Sequence, residues 1–329
     1  MRDLKSQLMT GRMASAALEF ARESRTPVAP RPASTVILLR DAPTPTASTR
    51  AVSTPTASTR AVSTPTPAAP TPAAPTPTPA APTPTPAAPA ADGLEVAGGL
   101  EVYLLRRQRT MAFAAGMTVF PGGRVDPADA AIADSWSGPP PSAFAVRLGC
   151  SAELAAAYVA AAVRETFEEC GVLLAGPSTS SVVSDTTGDD WEADRIELEA
   201  GRLRFADFLH RRGLVLRADL LGPWAHWITP EFEPKRYDTS FFVAALPTGQ
   251  VTRDVTSESD QVAWMRPADA VAAVEGGELL MLPPTYLCCR ELTPYDDVAA
   301  VLDAAGDREI RTILPTVRVD GDQAYLETI

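Results

Sequence analysis

RETFEECGV (residues 164–172) sets three glutamates and an arginine at the end of an alanine-rich segment and closes on glycine. Successive residues of a helix are about 100° apart, so Glu165, Glu168 and Glu169 fall within one arc of about 100°. Val163 and Phe167 point the other way and are expected to anchor the helix in a core. Crowding like charges costs a few tenths of a kcal/mol (~0.2–0.5) per exposed pair. A hard divalent cation such as Mg²⁺ or Mn²⁺ removes that cost, because it prefers oxygen ligands and brings the opposite charge. Arg164 can clamp a carboxylate through its planar fork and hold its orientation. A solvated acidic helix face accounts for three glutamates on their own. The arginine, the spacing, Gly171 and an upstream Pro-Gly-Gly weigh against that.

Working outward, the helix starts near Ser151, which can cap it, with Glu153 in the first turn where negative charge is favoured; Gly171 ends it. Upstream, MTVFPGGRVDPAD (residues 117–129) reads as a short strand and a Pro-Gly-Gly turn, and residues 134–148, with SGPPPS, read as loop. Downstream, residues 177–192 read as polar loop and 193–212 as helix. HWITPEFEPKRYDTSFFVAAL carries one strand into a second, QVAWM is a further strand, and 267–275 and 284–305 have helical patterning. Strands and helices alternate irregularly, which predicts a mixed α/β (α+β) sandwich.

Two strands, ASTVILLR (33–40) and GLEVYLLRR (99–107), are expected to be hairpin neighbours although a Pro/Thr/Ala tract at 43–92 separates them. TPTASTRAVS occurs twice in that tract and PTPAA-like units follow. Such a composition has little apolar area to bury, so the tract is expected to be a disordered insert with polyproline II character. Closure entropy rises only logarithmically with loop length, so the fold tolerates it.

The 329 residues carry 29 basic and 41 acidic side chains, a net charge of −12, which argues against nucleic acid or an anionic membrane surface as partner. No apolar run approaches the roughly 20 residues of a membrane span. The N-terminal segment lacks the apolar stretch of a secretion signal, and the four cysteines have no metal-site spacing, so a reducing, cytoplasmic setting is expected.

R-E-x-x-E-E-x-G resembles the second half of a Nudix box, the metal-binding signature of hydrolases that cut diphosphates. In that pattern a glutamate precedes the arginine by eight positions and a glycine precedes the glutamate by six; here those positions are Ala156 and Cys150. Counting forward from Gly123 instead, five residues lead to Asp129, a carboxylate where the family has glutamate. The box therefore reads as pulled apart by an insertion at 130–150, with its ligands kept. This arrangement resembles the coenzyme A and acyl-coenzyme A diphosphatase branch of the Nudix hydrolases, as do RPASTVILLR, MAFAAGMTVFPGGRVD, AAVRETFEECGVLL, WITPEFEPKRYDTSFFVAAL and the LPPTY segment, in the same order.

The resemblance implies a Nudix-type α/β/α sandwich with a mixed sheet. The resemblance covers most of 31–292 except the repeat tract, and the domain is expected over 31–315, between an N-terminal extension (1–30) and a C-terminal tail (316–329) with no peroxisomal address. It also implies a small-molecule nucleotide substrate and Mg²⁺ or Mn²⁺ as cofactor. Glu165, Glu168 and Glu169 match metal ligands, and Arg164 matches the arginine that orients a box glutamate, so that Arg164, Glu165 and Glu168 carry catalysis. Asp129 gives support, with Glu258 and Asp260 as off-box candidates for a general base. Gly122, Gly123 and Arg236 are candidate substrate contacts. Arg106, Arg107, Arg109 and Lys235 are further cations for a 3′-phosphate; Trp224, Trp227 and Tyr237 are aromatics that can stack on adenine or fill the core. Other substrates of the same chemistry are ADP-ribose and NADH, and a non-catalytic nucleotide-binding or interaction protein built around the proline-rich tract is the reading from a different class. The sequence sets no oligomeric state.

Overall fold

In the apolar run Val36, Ile37, Leu38 and Leu39, side chains alternate between the two faces of a strand, so a run this uniform needs cover on both sides. The computed structural model provides it: Val36 and Leu38 join one core cluster and Ile37 and Leu39 another, all four with no exposed area. The structure describes residues 6–9, 11–23, 25–43, 99–108, 114–255 and 259–328. Apart from Pro43, the tract at 43–92 lies outside them.

The elements begin with β1 (Ser6–Leu8), α1 (Gly11–Glu23), β2 (Arg31–Asp41), β3 (Leu100–Arg107), β4 (Thr118–Val119) and β5 (Gly122–Arg124). There follow β6 (Trp136–Ser137), α2 (Pro141–Leu148), α3 (Ala152–Cys170), β7 (Ala175–Gly176), α4 (Asp189–Glu199), α5 (Phe205–Arg212) and β8 (Val215–Arg217). The rest are β9 (Gly222–Ile228), β10 (Tyr237–Ala245), β11 (Ser259–Met265), α6 (Pro267–Glu275), α7 (Pro283–Leu292), α8 (Val298–Asp307), β12 (Thr312–Ile313), β13 (Thr316–Asp320) and β14 (Gln323–Glu327).

The central sheet runs β11-β3-β2-β10-β9-β12, with β4 beside β3 and β5 beside β2. It is mixed: β2 with β10 and β9 with β12 are parallel, and the other pairs are antiparallel. One face is covered by α2, α3 and α5 through residues such as Phe144, Tyr158 and Phe208, and the other by α6, α7 and α8 through Ala270, Leu292 and Val301. The result is the expected α/β/α sandwich. β2 and β3 pair as expected for a hairpin, Leu39 opposite Val102, and the Ala42 N–H donates to the Gly99 carbonyl at 2.8 Å.

Three expectations are corrected. Residues 134–148 are not all loop, since α2 begins at Pro141. Proline at the first helical position gives up no bond that a helix start would make, and Gly149 in the left-handed region (φ +67) closes the helix. The helix expected over 193–212 is two, α4 and α5, parted at Gly201 with φ +67. The stretch 284–305 is likewise α7 and α8, the second restarted by Asp297, whose side chain accepts from the Ala300 N–H at 2.8 Å.

The two segments outside 31–315 meet each other. β14 lies between β1 and β13 in a small antiparallel sheet, and Met9, Ala17, Phe232, Ala324 and Leu326 form its core with α1. Among the described residues no single helix is long and apolar enough to cross a membrane.

Candidate active site

The 19-residue helix α3 carries the box glutamates in its last two turns. It starts as the sequence implies, with the Ser151 hydroxyl accepting from the Leu154 N–H at 3.1 Å, and ends at Gly171 with φ +73. Val163 and Phe167 have no exposed area, so the helix is anchored along its inner side. The Pro-Gly-Gly turn is laid against it by β5, whose Gly122 and Gly123 pair with Thr35 and Ser34 of β2. Ser34 in turn donates to the Tyr158 carbonyl of α3 at 2.6 Å.

Both glycines are forced by contact. A Cβ on Gly123 would lie 2.4 Å from Glu165 Oε2, and one on Gly122 would lie 2.4 Å from the Ser34 carbonyl oxygen. The Gly122 N–H donates to Glu169 Oε2 at 2.8 Å. Turn and helix are therefore hydrogen-bonded through the last glutamate of the run.

Asp129 reaches the same place from the 3₁₀ turn Pro127–Ala130, where it accepts from the Asp126 N–H at 2.8 Å and shares a capping box with Asp126. Arg164 grips it with both arms of the fork, Nε to Oδ1 and Nη2 to Oδ2, each at 3.0 Å. The same guanidinium donates from Nη1 to Glu165 Oε1 at 2.9 Å and to Glu168 Oε1 at 3.1 Å, and from Nη2 to the Arg124 carbonyl at 2.9 Å. Sequence reasoning gave Arg164 one carboxylate; it holds three. Arg164 thus ties the Asp129 turn to the α3 carboxylates, beside the Gly122–Glu169 bond.

One guanidinium holds three carboxylates, with Glu169 alongside, in a largely buried setting. Burial pushes the Glu165 carboxyl up to about 7, although Arg164 pulls it down. Burial also raises Glu168 and Asp129. At Arg164 burial opposes the charge, but Glu165, Asp129 and Glu168 outweigh it and raise the guanidinium above its ordinary value. Among the described residues no group of three acidic, histidine or cysteine side chains is placed as it stands to hold a metal ion; Asp129, Glu165 and Glu168 are bonded to Arg164. The donor set nevertheless suits a hard cation: every donor is a carboxylate oxygen, and negative charge remains in excess.

A second arginine, Arg195 of α4, is 2% exposed and sits behind the helix end. Its Nη1 donates to the Glu168 carbonyl at 2.7 Å and to Glu199 at 2.9 Å, and its Nε and Nη2 hold Glu192. The sequence reading missed it. The signal available was its spacing, three residues after Glu192 and four before Glu199.

A cleft of about 800 Å³ opens from the box and is lined by Gly122, Gly123, Asp129, Arg164 and the three box glutamates. Arg107, Trp227 and Tyr237 also line it. Arg236 does not: it is 7% exposed and donates to the carbonyls of Thr229 (2.9 Å) and Val28 (2.7 Å), so its charge is spent on backbone. Trp224 is core. His226 is bonded to Asp238 and, at 3.1 Å, to Thr312, tying three strands together. Glu258, Arg109 and the side chain of Asp260 lie outside the described residues.

Residues 147–292 match the family model of the NUDT19 Nudix domain. Over that span, a little under half of the chain, the sequence is similar to Nudix hydrolases. Gly122–Arg124 and Asp129 precede the matched span, and the fold returns them to it. The putative nudix hydrolase 7 of Caenorhabditis elegans is 27% identical over 201 residues, 60% of this chain and 57% of that protein. The acyl-coenzyme A diphosphatase NUDT19 of Gallus gallus is 28% identical over 230 residues, 58% of this chain and 60% of that protein. The protein of the same name from Homo sapiens is 28% identical over 283 residues, 70% and 74%. The chain spans about three fifths of the first two of these relatives. A crystal structure of a Nudix hydrolase from Alicyclobacillus acidocaldarius shares the fold, with TM-score 0.59 and 22% identity over 84% of this chain and 96% of that one. Nudix hydrolases use divalent metals in general, in keeping with the oxygen-only donor set of this box.

Proposed function

We propose that the protein is a metal-dependent diphosphatase. It hydrolyses coenzyme A or acyl-coenzyme A to 3′-phosphoadenosine 5′-phosphate and 4′-phosphopantetheine or its acylated form. The observation that carries the chemistry is the rejoined box: Asp129, Arg164, Glu165 and Glu168 in one hydrogen-bonded cluster, with Glu169 bonded to the turn, at the mouth of a cleft. The substrate rests on the relatives named acyl-coenzyme A diphosphatase.

Glu165, Glu168 and Glu169 would hold Mg²⁺ or Mn²⁺, which when bound supplies charge to neutralise the diphosphate and to acidify the attacking water. The chain's own part is positioning. Arg164 keeps Glu165 and Glu168 from turning away from the cleft, and Asp129 braces Arg164 from behind. Gly123 lets backbone approach where a side chain would collide with Glu165, and Gly122 does the same against Ser34 and Thr35. The box carboxylates line the cleft together with Asp126, Glu199 and Glu233, and among them one raised toward neutrality by burial suits a base working near pH 7.

Purified protein incubated with coenzyme A, an acyl-coenzyme A, ADP-ribose and NADH, each with Mg²⁺ or Mn²⁺, tests the proposal by mass spectrometry. The two coenzyme A products are expected, and Glu169→Gln is expected to lower kcat/KM by at least about a hundredfold. Preferential cleavage of ADP-ribose or NADH moves the assignment to those substrates. No turnover with either metal overturns the diphosphatase reading and leaves the binding-protein alternative.

A further inference from the structure

The cleft does not end at the box. It is also lined by Met13 of α1, by Pro315 at the head of β13, by Leu326 of β14, and by Ile228 and Pro230 where β9 leads toward β10, with Thr229 and Glu233 on that same segment. Two of these five, Met13 and Leu326, come from the two ends of the chain, and Pro315 directly precedes β13; the ends pair with each other, Ser6 opposite Glu327 and Leu8 opposite Tyr325. The Met9 N–H donates to the Ala324 carbonyl at 2.8 Å, and Phe232, just past Pro230, fills the core of the small sheet. The ribbon of chain ends is therefore packed onto the same turn that borders the cleft.

The cleft has two kinds of wall. The box presents carboxylate and guanidinium; these five residues present thioether, proline ring and branched aliphatic, with Thr229 and Glu233 as polar neighbours. Met13 is 42% exposed although it is large and apolar, and it stands on the cleft. An apolar side chain kept accessible on a cleft wall gains from covering by an apolar ligand. Methionine is also suited to walls that accept chains of varied shape, being unbranched and polarizable.

We infer that the sheet made from the two chain ends is a substrate wall: it receives an apolar chain carried by the diphosphate compound whose cleavage is proposed above, and selects for it. This rests on the diphosphatase reading for its substrate but on separate residues for its selectivity. Nothing in it involves the box helix.

The test compares a long-chain acyl-coenzyme A with acetyl-coenzyme A in Met13, Met13→Leu and Met13→Glu proteins. Met13→Glu is expected to lower the ratio of kcat/KM for the long chain to that for acetyl by at least about tenfold, carried by KM, and Met13→Leu to keep the ratio within about threefold. Met13 is partly exposed on a helix, so the variants are expected to fold, which their melting temperatures check. An unchanged ratio in Met13→Glu overturns the inference. If no substrate turns over in the unmutated protein, the diphosphatase reading falls, and the wall is judged by calorimetric binding of the same two compounds. Preference for the long chain that Met13→Glu removes upholds the wall; equal binding of both compounds, or none, overturns it.

Discussion

Metal-free protein is expected to lose stability as pH rises, and a divalent cation is expected to restore it. Burial disfavours the charge of Glu165 and pushes its carboxyl up to about 7 in the folded chain, against an ordinary 4.5. Between those values the folded chain keeps a proton that the unfolded chain has released, so stability falls with pH across that window. Below about 4.5 both states hold the proton and the contribution is intact. Above about 7 both have lost it, and the full cost of a buried charge is present. The difference of 2.5 units corresponds to about 3 kcal/mol at 1.36 kcal/mol per unit. Its side chain is 15% exposed, so solvent screens little of this. Asp129 and Glu168, also raised by burial, act in the same direction.

Urea unfolding at pH 5 and pH 8, in chelator, measures this effect when unmutated protein is compared with Glu165→Gln. The variant shares every other titrating group, so the difference of the two pH slopes isolates Glu165. With a urea slope of about 3 kcal/mol per M, the unmutated midpoint is expected to drop by about 1 M more than that of the variant. Millimolar Mn²⁺ at pH 8 is expected to return about 2–3 kcal/mol to the unmutated protein, the gain from an ion at roughly a hundred times its Kd, and less to Glu165→Gln. Parallel slopes in the two proteins, or a metal effect that is equal in both, refute the account of this site as a buried, negatively overcharged cluster.

Arg164→Ala removes the guanidinium that holds Asp129, Glu165 and Glu168 and is expected to cost about 3–5 kcal/mol in urea unfolding without metal; a loss under about 1 kcal/mol contradicts its place at the centre. Gly123→Ala, whose Cβ would meet Glu165 Oε2 at 2.4 Å, is expected to lower kcat/KM about a hundredfold, and activity near that of the unmutated protein shows that Glu165 need not stand where it does. Replacing residues 43–98 with a four-residue turn is expected to leave the melting temperature no lower and hydrolysis within about twofold, since Ala42 and Gly99 are already hydrogen-bonded. Loss of activity in that folded deletion favours a role for the tract.

What the sequence disclosed was local or periodic. Ser151 and Gly171 bracket an alanine-rich run, and α3 occupies that span. The run Val36–Leu39 announces a strand buried on both faces, and β2 is one. Asp129 was found only by counting from Gly123, because the insertion removes the spacing that a motif normally offers. Contacts that depend on the third dimension stayed hidden. Arg236 looked like a phosphate ligand because it follows Lys235 beside a strand, yet it faces two backbone carbonyls. The pairing of the two chain ends joins strands of three and five residues from opposite ends of the sequence, too short for periodicity to register.

The division of labour in the cleft follows from how each part is held. The box end rests on side chains with no exposure, Val163 and Phe167 below and Ser34 bonded to α3 alongside, so its carboxylates cannot drift apart to relieve their charge. Arg164 answers only part of that charge, and the remainder is available to a cation that also binds a diphosphate. The wall built from the chain ends is held by a small separate core and has no such constraint on its chemistry. Changes at Met13 or Leu326 can therefore alter what fits without disturbing the charge balance at the box. If Met13→Glu shifted the pH-dependent stability assigned to Glu165, that separation would be wrong.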